Sequence, residues 1–139
     1  MKRSAGIVIT KRIGNAWKFL MLRAFQYWDF PKGEFENESM AREAAIREVF
    51  EETGIKEEEL NIIPEICYLT SPYGKHGKVA HYFFATTTAN ENIVLPVSAE
   101  LGKPEHDEYR WVTFQEAMEL PLCDRIRNVL LYANCGWDC

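Results

Sequence analysis

The chain has 139 residues, 47% of them hydrophobic and 27% charged, with a formal net charge of −5 at pH 7. That length and balance fit a single globular domain over residues 1–139, and the acidic excess argues against broad affinity for nucleic acid or a membrane surface, which needs a basic face. No apolar run approaches the roughly 20 residues of a membrane span, and Met1-Lys2-Arg3 leads into a strand rather than a secretion signal. The four cysteines, Cys67, Cys123, Cys135 and Cys139, lack paired zinc spacing and read as reduced thiols of a cytoplasmic protein.

In chain order, Ala5 to Thr10 is a β-branched run and Lys18 to Leu22 a second. Gly14-Asn15 between them predicts a hairpin. The segment from Trp28 to Gly33 reads as loop with short extended character. A helix is expected from about Ser39 to Thr53, with Ser39 placed to serve as its N-cap. Strands follow near Ile62 to Thr70 and Val79 to Thr87, joined by a turn holding Pro72, Gly74 and Gly77. Tyr109 to Val112 is a short strand, and Thr113-Phe114-Gln115-Glu116 a capping box that opens a helix. A last helix after Pro121 carries Ile126, Val129, Leu130 and Ala133 at helical spacing.

The helix ending at Thr53 carries the chemistry. Glu48, Glu51 and Glu52 fall at i, i+3 and i+4, so a helix sets all three carboxylates on one face. Like charges at that spacing repel, and a hard divalent cation such as Mg²⁺, which takes oxygen ligands, turns the repulsion into coordination. A solvated acidic surface is the bland alternative. At 100° per residue, Ala45, Ile46, Val49, Phe50 and Thr53 sweep out a packing side, and the glutamates share the opposite arc with the small residues Ala41 and Ala44. Gly54 sits where a helix C-cap favours positive φ.

The stretch GEFENESMAREAAIREVFEETGI, Gly33 to Ile55, resembles the signature of the Nudix hydrolases, G-x5-E-x7-R-E-U-x-E-E-x-G-U with U a large aliphatic residue. Gly33, Arg47, Glu48, Val49, Glu51, Glu52, Gly54 and Ile55 fall in register, eight of the nine defined positions over 23 residues. The ninth, a glutamate in the family, is Ser39 here, and Glu38-Ser39 looks like the family's Glu-Ser pair displaced by one residue. The resemblance implies an α+β Nudix fold, a mixed β-sheet sandwiched between α-helices, and a Mg²⁺- or Mn²⁺-dependent pyrophosphohydrolase. Its site would use Glu48, Glu51 and Glu52 as metal ligands, one of them also acting as base toward water. The Gly33 carbonyl would lie near the metal, and Arg47 would hold a glutamate in a bidentate pair.

The segments Tyr27-Trp28-Asp29-Phe30-Pro31-Lys32-Gly33 and Glu105-His106-Asp107-Glu108-Tyr109-Arg110-Trp111-Val112 are similar to parts of the asymmetric diadenosine tetraphosphate hydrolases of that family. The similarity implies a nucleotide substrate, first of all diadenosine tetraphosphate cut to ATP and AMP. Lys32 would offer a positive charge to the polyphosphate, Tyr73 and Tyr109 would stack a purine or pack as half-buried rings, and Glu105 would add a carboxylate or lie in a solvated loop. His76, His81 and His106 are dispersed, and His81 on an alternating strand reads as structural. Trp17, Trp28, Phe30 and Trp111 read as core or pocket wall. Alternatives are a pyrophosphohydrolase acting on nucleoside triphosphates or on the 5′ end of RNA, and a catalytically silent nucleotide-binding sensor. Ser39→Glu is expected to raise hydrolytic rate or metal affinity if the family glutamate is missing. An unchanged Ser39→Glu enzyme together with a damaged Glu38→Gln enzyme would instead show the displaced glutamate at work.

Overall fold

The computed structural model describes residues 2–36 and 40–136; Glu38 and the expected cap Ser39 lie outside them, as do Cys139 and the Cys135 side chain. The elements in order are β1 (Arg3–Ile13), β2 (Ala16–Ala24), β3 (Tyr27–Asp29), β4 (Lys32–Phe35), α1 (Ala41–Thr53), β5 (Leu60–Leu69), β6 (Val79–Thr87), β7 (Glu108–Val112), α2 (Phe114–Glu119) and α3 (Asp124–Gly136). No helix among the described residues is long and apolar enough to cross a membrane.

One mixed sheet organises the molecule. Strand β1 runs parallel to β6 from Arg3/Val79 to Thr10/Thr86, while β5–β6 and the remaining pairs are antiparallel. The predicted hairpin forms: Ile13 pairs Ala16 across Gly14-Asn15. Beyond Thr10 and Phe19, however, β1 and β2 diverge. The freed edge of β1 takes β4, with Gly6 opposite Lys32 and Ala5 opposite Gly33. The freed edge of β2 takes β3, because β7 already occupies its other edge from Phe19 to Arg23. The segment from Tyr27 to Phe35 thus fills a fork between two diverging strands, and what reads as loop in the sequence becomes two short strands.

Both faces of the sheet are covered, as alternation along its central strands requires. On one face Ile7, Ile9, Leu20 and Leu22 meet Ala41, Ala44, Ala45 and Val49 of α1. On the other Val8, Phe19, Met21, Tyr82 and Phe84 meet Ala117 of α2 and Ile126, Val129, Leu130 and Ala133 of α3. All four apolar positions expected to face inward on the last helix are buried. The capping box before α2 forms, Glu116 N–H donating to Thr113 Oγ1 at 3.2 Å and Thr113 N–H to the Glu116 carboxylate at 2.8 Å.

The described part of α1 has Met40 at its N-cap position, within the expected bounds, and the expected cap Ser39 lies outside the described residues. One local expectation fails. Phe50, placed on the packing side by periodicity, is 52% exposed, whereas Ala41, Ala44 and Glu52 from the charged side are buried. The sheet is wide enough to cover the small-residue side as well, so the buried arc is shifted toward the glutamates. Trp28 and Phe30 are core, Trp111 is half-buried with its indole N–H donating to Glu91 O at 2.7 Å, and Trp17 stays 47% exposed.

The fork closes tightly at its base. A Cβ on Gly6 would run into the backbone carbonyl of Pro31, and the neighbouring Ile7 N–H donates to that carbonyl at 3.2 Å. Gly6→Ala should therefore destabilise the protein by about 1–3 kcal/mol, because a backbone oxygen cannot step aside as a flexible side chain can. Urea denaturation checks it, and an unchanged midpoint would contradict the close approach.

Candidate active site

The C-terminal half of α1 lies against β4, and the last turn of the helix is tied down locally. Thr53 Oγ1 donates to Val49 O at 2.7 Å and accepts from Ile55 N–H at 3.1 Å, and Gly54 N–H closes the helix onto Phe50 O at 2.9 Å. Glu48 and Glu52, one turn apart, point toward β4. A Cβ on Gly33 would overlap the Glu48 carboxylate, so glycine at this position is what lets that carboxylate lie against the strand.

Glu52 is the deepest of the acids, its side chain only 2% exposed. It accepts the Lys32 backbone N–H at 3.2 Å, and His106 Nδ1 stands 3.9 Å away. Ligand atoms of Glu52, Glu105 and His106 all lie within 4.8 Å of one another. Burial first, and then the nearby Glu105 charge, push the Glu52 carboxyl up to about 10; the Lys32 N–H pulls the other way, and Glu48 adds to the rise. Burial lowers the His106 imidazole despite Glu105, Asp29 and Asp107, so the ring is neutral near pH 7. Its Nδ1 is buried without a hydrogen-bond partner among the described residues. A buried carboxyl that keeps its proton among neighbouring carboxylates, next to an imidazole nitrogen lacking a donor or acceptor among the described residues, is the donor arrangement a divalent cation fits.

The remaining sequence candidates are distributed unevenly. Glu51 turns outward, 55% exposed. Arg47 does not grip one carboxylate in a fork: Nη2 meets Glu48 Oε2 at 3.2 Å and Nε meets Glu51 Oε1 at 3.7 Å. Being adjacent to Glu48 in sequence and on the helix exterior, its guanidinium spans the two acids. Lys32 extends its ammonium to Asp29 Oδ2 at 3.2 Å and lies 5.7 Å from the Tyr73 ring centre. Tyr73 is half-buried in the β5–β6 connection, bridged to Lys78 through its backbone, with Arg125 4.3 Å over its ring. Tyr109 sits on β7 against the α1-side core, and its hydroxyl accepts from Ile93 N–H at 3.1 Å. An open cavity of about 600 Å³ beside it is lined by Arg110, Trp111, Glu116 and Glu119 and by none of the site carboxylates.

Sequence reasoning passed over His106, Asp29, Tyr82 and Arg125. His106 follows Glu105 directly, and Asp29 precedes Lys32 by three residues, so local signals existed. For Arg125 there was none, since it reaches Asp29 across 96 positions.

Comparison with known proteins bears on the whole chain. A model of the NUDIX domain matches residues 1–133. The asymmetrical bis(5′-nucleosyl)-tetraphosphatase of Caenorhabditis elegans is 29% identical over 123 residues, covering 85% of this chain and 83% of that protein. An RNA pyrophosphohydrolase of Shewanella denitrificans is 27% identical over 127 residues, covering 81% and 71%. The crystal structure of a C. elegans Ap4A hydrolase binary complex superposes with a TM-score of 0.82 at 24% identity, covering 96% of each chain, a likeness of fold.

The raised Glu52 carboxyl makes stability depend on pH and metal. From its ordinary value of 4.5 up to about 10 the folded state keeps a proton that the unfolded chain has lost, so the metal-free protein loses stability as pH rises through that window. Mg²⁺ should raise the thermal midpoint more at about pH 8.5 than at about pH 6, where it must displace the proton. Glu52→Gln should stabilise the metal-free protein at the higher pH by at least ~1 kcal/mol and abolish the Mg²⁺ shift. Equal Mg²⁺ shifts at both pH values would refute the linkage.

Proposed function

The chain belongs to the Nudix family of pyrophosphohydrolases, and from that membership we propose that it is a divalent-metal-dependent, cytoplasmic enzyme that hydrolyses diadenosine tetraphosphate asymmetrically to ATP and AMP. The observation that carries the reading is the buried Glu52 carboxylate converging with Glu105 and Glu48 beside Gly33, with the Lys32 ammonium close by. Glu48, Glu52 and the Gly33 carbonyl are the groups that would hold Mg²⁺ or Mn²⁺, with Glu105 adding a carboxylate from the loop before β7; Glu51, which faces outward, would have to turn inward to join them. A cation held there would neutralise phosphate charge and lower the pKa of a bound water. The chain's own part is positional and proton-handling. Arg47 pairs with both Glu48 and Glu51 and orients them. Lys32 meets polyphosphate oxygens as a point charge. One helix glutamate accepts the proton of the water that attacks phosphorus, and the phosphoanhydride bond breaks to leave AMP and ATP. Tyr73, half-buried beside Lys32 and Arg125, is the ring that would stack a purine, and Tyr109 packs on the α1-side core.

Similarity to the tetraphosphatase of C. elegans over most of both chains supports this substrate, as do the segments before Gly33 and after Glu105. A second reading, removal of pyrophosphate from 5′-triphosphorylated RNA, draws on the Shewanella relative; the net charge of −5 weighs against it.

Chromatography of products formed from diadenosine tetraphosphate with Mg²⁺ or Mn²⁺ should show ATP and AMP in equal amounts. Glu52→Gln should lower kcat by about 10²–10⁴-fold with the fold retained. Two molecules of ADP would sink the asymmetric cut, and faster release of pyrophosphate from RNA would favour the second reading. Nucleotide binding without turnover of any substrate in the panel would make the protein a sensor.

A further inference from the structure

Lys32 is one member of a larger charged group. The Asp29 oxygen that pairs with its ammonium, Oδ2, also takes both terminal nitrogens of Arg125 at 3.4 Å. The other oxygen, Oδ1, accepts from the Phe30 N–H at 2.6 Å and the Tyr82 hydroxyl at 3.1 Å. Arg125 Nη1 donates to the same hydroxyl at 2.6 Å. Lys32, Asp29 and Arg125 each expose less than a fifth of their side chains, and Tyr82 is fully buried. Burial opposes the charge on Arg125, but Asp29 and its neighbours outweigh it and hold the guanidinium protonated. Burial likewise pushes the Tyr82 phenol up, so it remains a neutral donor.

One carboxylate between two cations leaves one positive charge in excess. In surroundings this shielded, that excess is felt far more strongly than at an exposed surface. If Asp29 faced Lys32 alone, the pair would be neutral and the ammonium would offer little to an anion. Arg125 prevents this. Its planar fork is committed to Asp29 and the Tyr82 hydroxyl while its central carbon lies 4.3 Å from the Tyr73 ring centre, a combination suited to a guanidinium and unsuited to a second lysine. Lys32 remains the flexible cation, its own backbone N–H bonded to Glu52 and its charge, like that of Asp29, reaching His106.

We propose that Arg125 is a positioning residue which neutralises and pins Asp29, and so keeps the Lys32 charge available to a polyphosphate bound beside Glu52. The inference rests on the proposed function only in taking polyphosphate as the ligand class. It makes the C-terminal helix α3 part of the site, although no residue of α3 need touch the reacting atoms.

Calorimetric affinity for inorganic tripolyphosphate, measured with Mg²⁺ on the full chain, tests it without requiring turnover. Arg125→Met should weaken binding about tenfold, the loss of roughly one charge-assisted contact. Adding Asp29→Asn should restore affinity to within about threefold of wild type, because the single positive charge returns. A role confined to structure gives the opposite pattern: the Arg125→Met/Asp29→Asn double variant binds worse than Arg125→Met. That result, or an unaltered affinity in Arg125→Met, overturns the proposal. If Arg125→Met does not fold, Arg125→Gln, which keeps hydrogen bonding and removes the charge, carries the same comparison. Should the charge pattern hold while the wild type cleaves no nucleotide, the positioning role stands and the pyrophosphohydrolase reading fails. Nucleotide cleavage without tripolyphosphate affinity leaves the reading in place and removes the role.

Discussion

Helix α1 approaches the sheet closely because side chains are small or absent where they meet: Ala41, Ala44 and Ala45 on the helix, Gly33 on β4. That approach buries the Glu52 carboxyl almost completely, with the Lys32 backbone N–H donating to it and Glu48 beside it. A carboxylate so placed costs free energy when ionised. Without a cation the group therefore keeps its proton. The surrounding pieces bear on that balance. Glu48 and Glu105 crowd it further, His106 presents a neutral nitrogen toward it, and Lys32 stands near it with its cation turned to the next carboxylate along.

The sheet explains how these groups come together. Pairing between β1 and β2 covers only four residues on each strand before they part, and the stretch from Tyr27 to Phe35 is inserted between them. Asp29, Lys32 and Gly33 therefore lie side by side at the fork. The loop carrying Glu105 and His106 leads into β7 on the far edge of β2, and Asp107 N–H bonds to Arg23 O at 2.9 Å to hold it in place. Helix α3 closes the other face and delivers Arg125 from below. Strands β3 and β4, the loop before β7 and helices α1 and α3 each contribute polar groups to the site while their apolar neighbours build the core, so site geometry and stability draw on the same packing.

Local patterns carried much of this in advance. The hairpin at Gly14-Asn15, strand β6, the Thr113–Glu116 capping box and the buried stripe of α3 all follow from periods and caps that act within a few residues. Where expectation failed, a neighbour outside the window decided. Helical phase alone turns Phe50 inward, but the sheet covers the small-residue side of α1 instead. The Trp28–Gly33 segment reads as loop with only short extended character because its strand partners are β2 and β1, which nothing within the segment reveals. Arg47, instead of clasping one glutamate, spans two.

Spacing along one helix is a property of the chain, and i, i+3, i+4 geometry put Glu48, Glu51 and Glu52 on a common face before any tertiary contact was considered. Which of those acids turn inward is a different matter. Glu52 and Glu48 meet β4 and Glu51 does not, because the helix axis is set by its alanines and by Gly33 across the gap. The convergence of Glu105 and His106 on Glu52, and the grip of Arg125 on Asp29, join residues far apart in sequence. No short-range pattern encodes such encounters; they arise only when the sheet divides, the loops are tied across it and both helix layers dock.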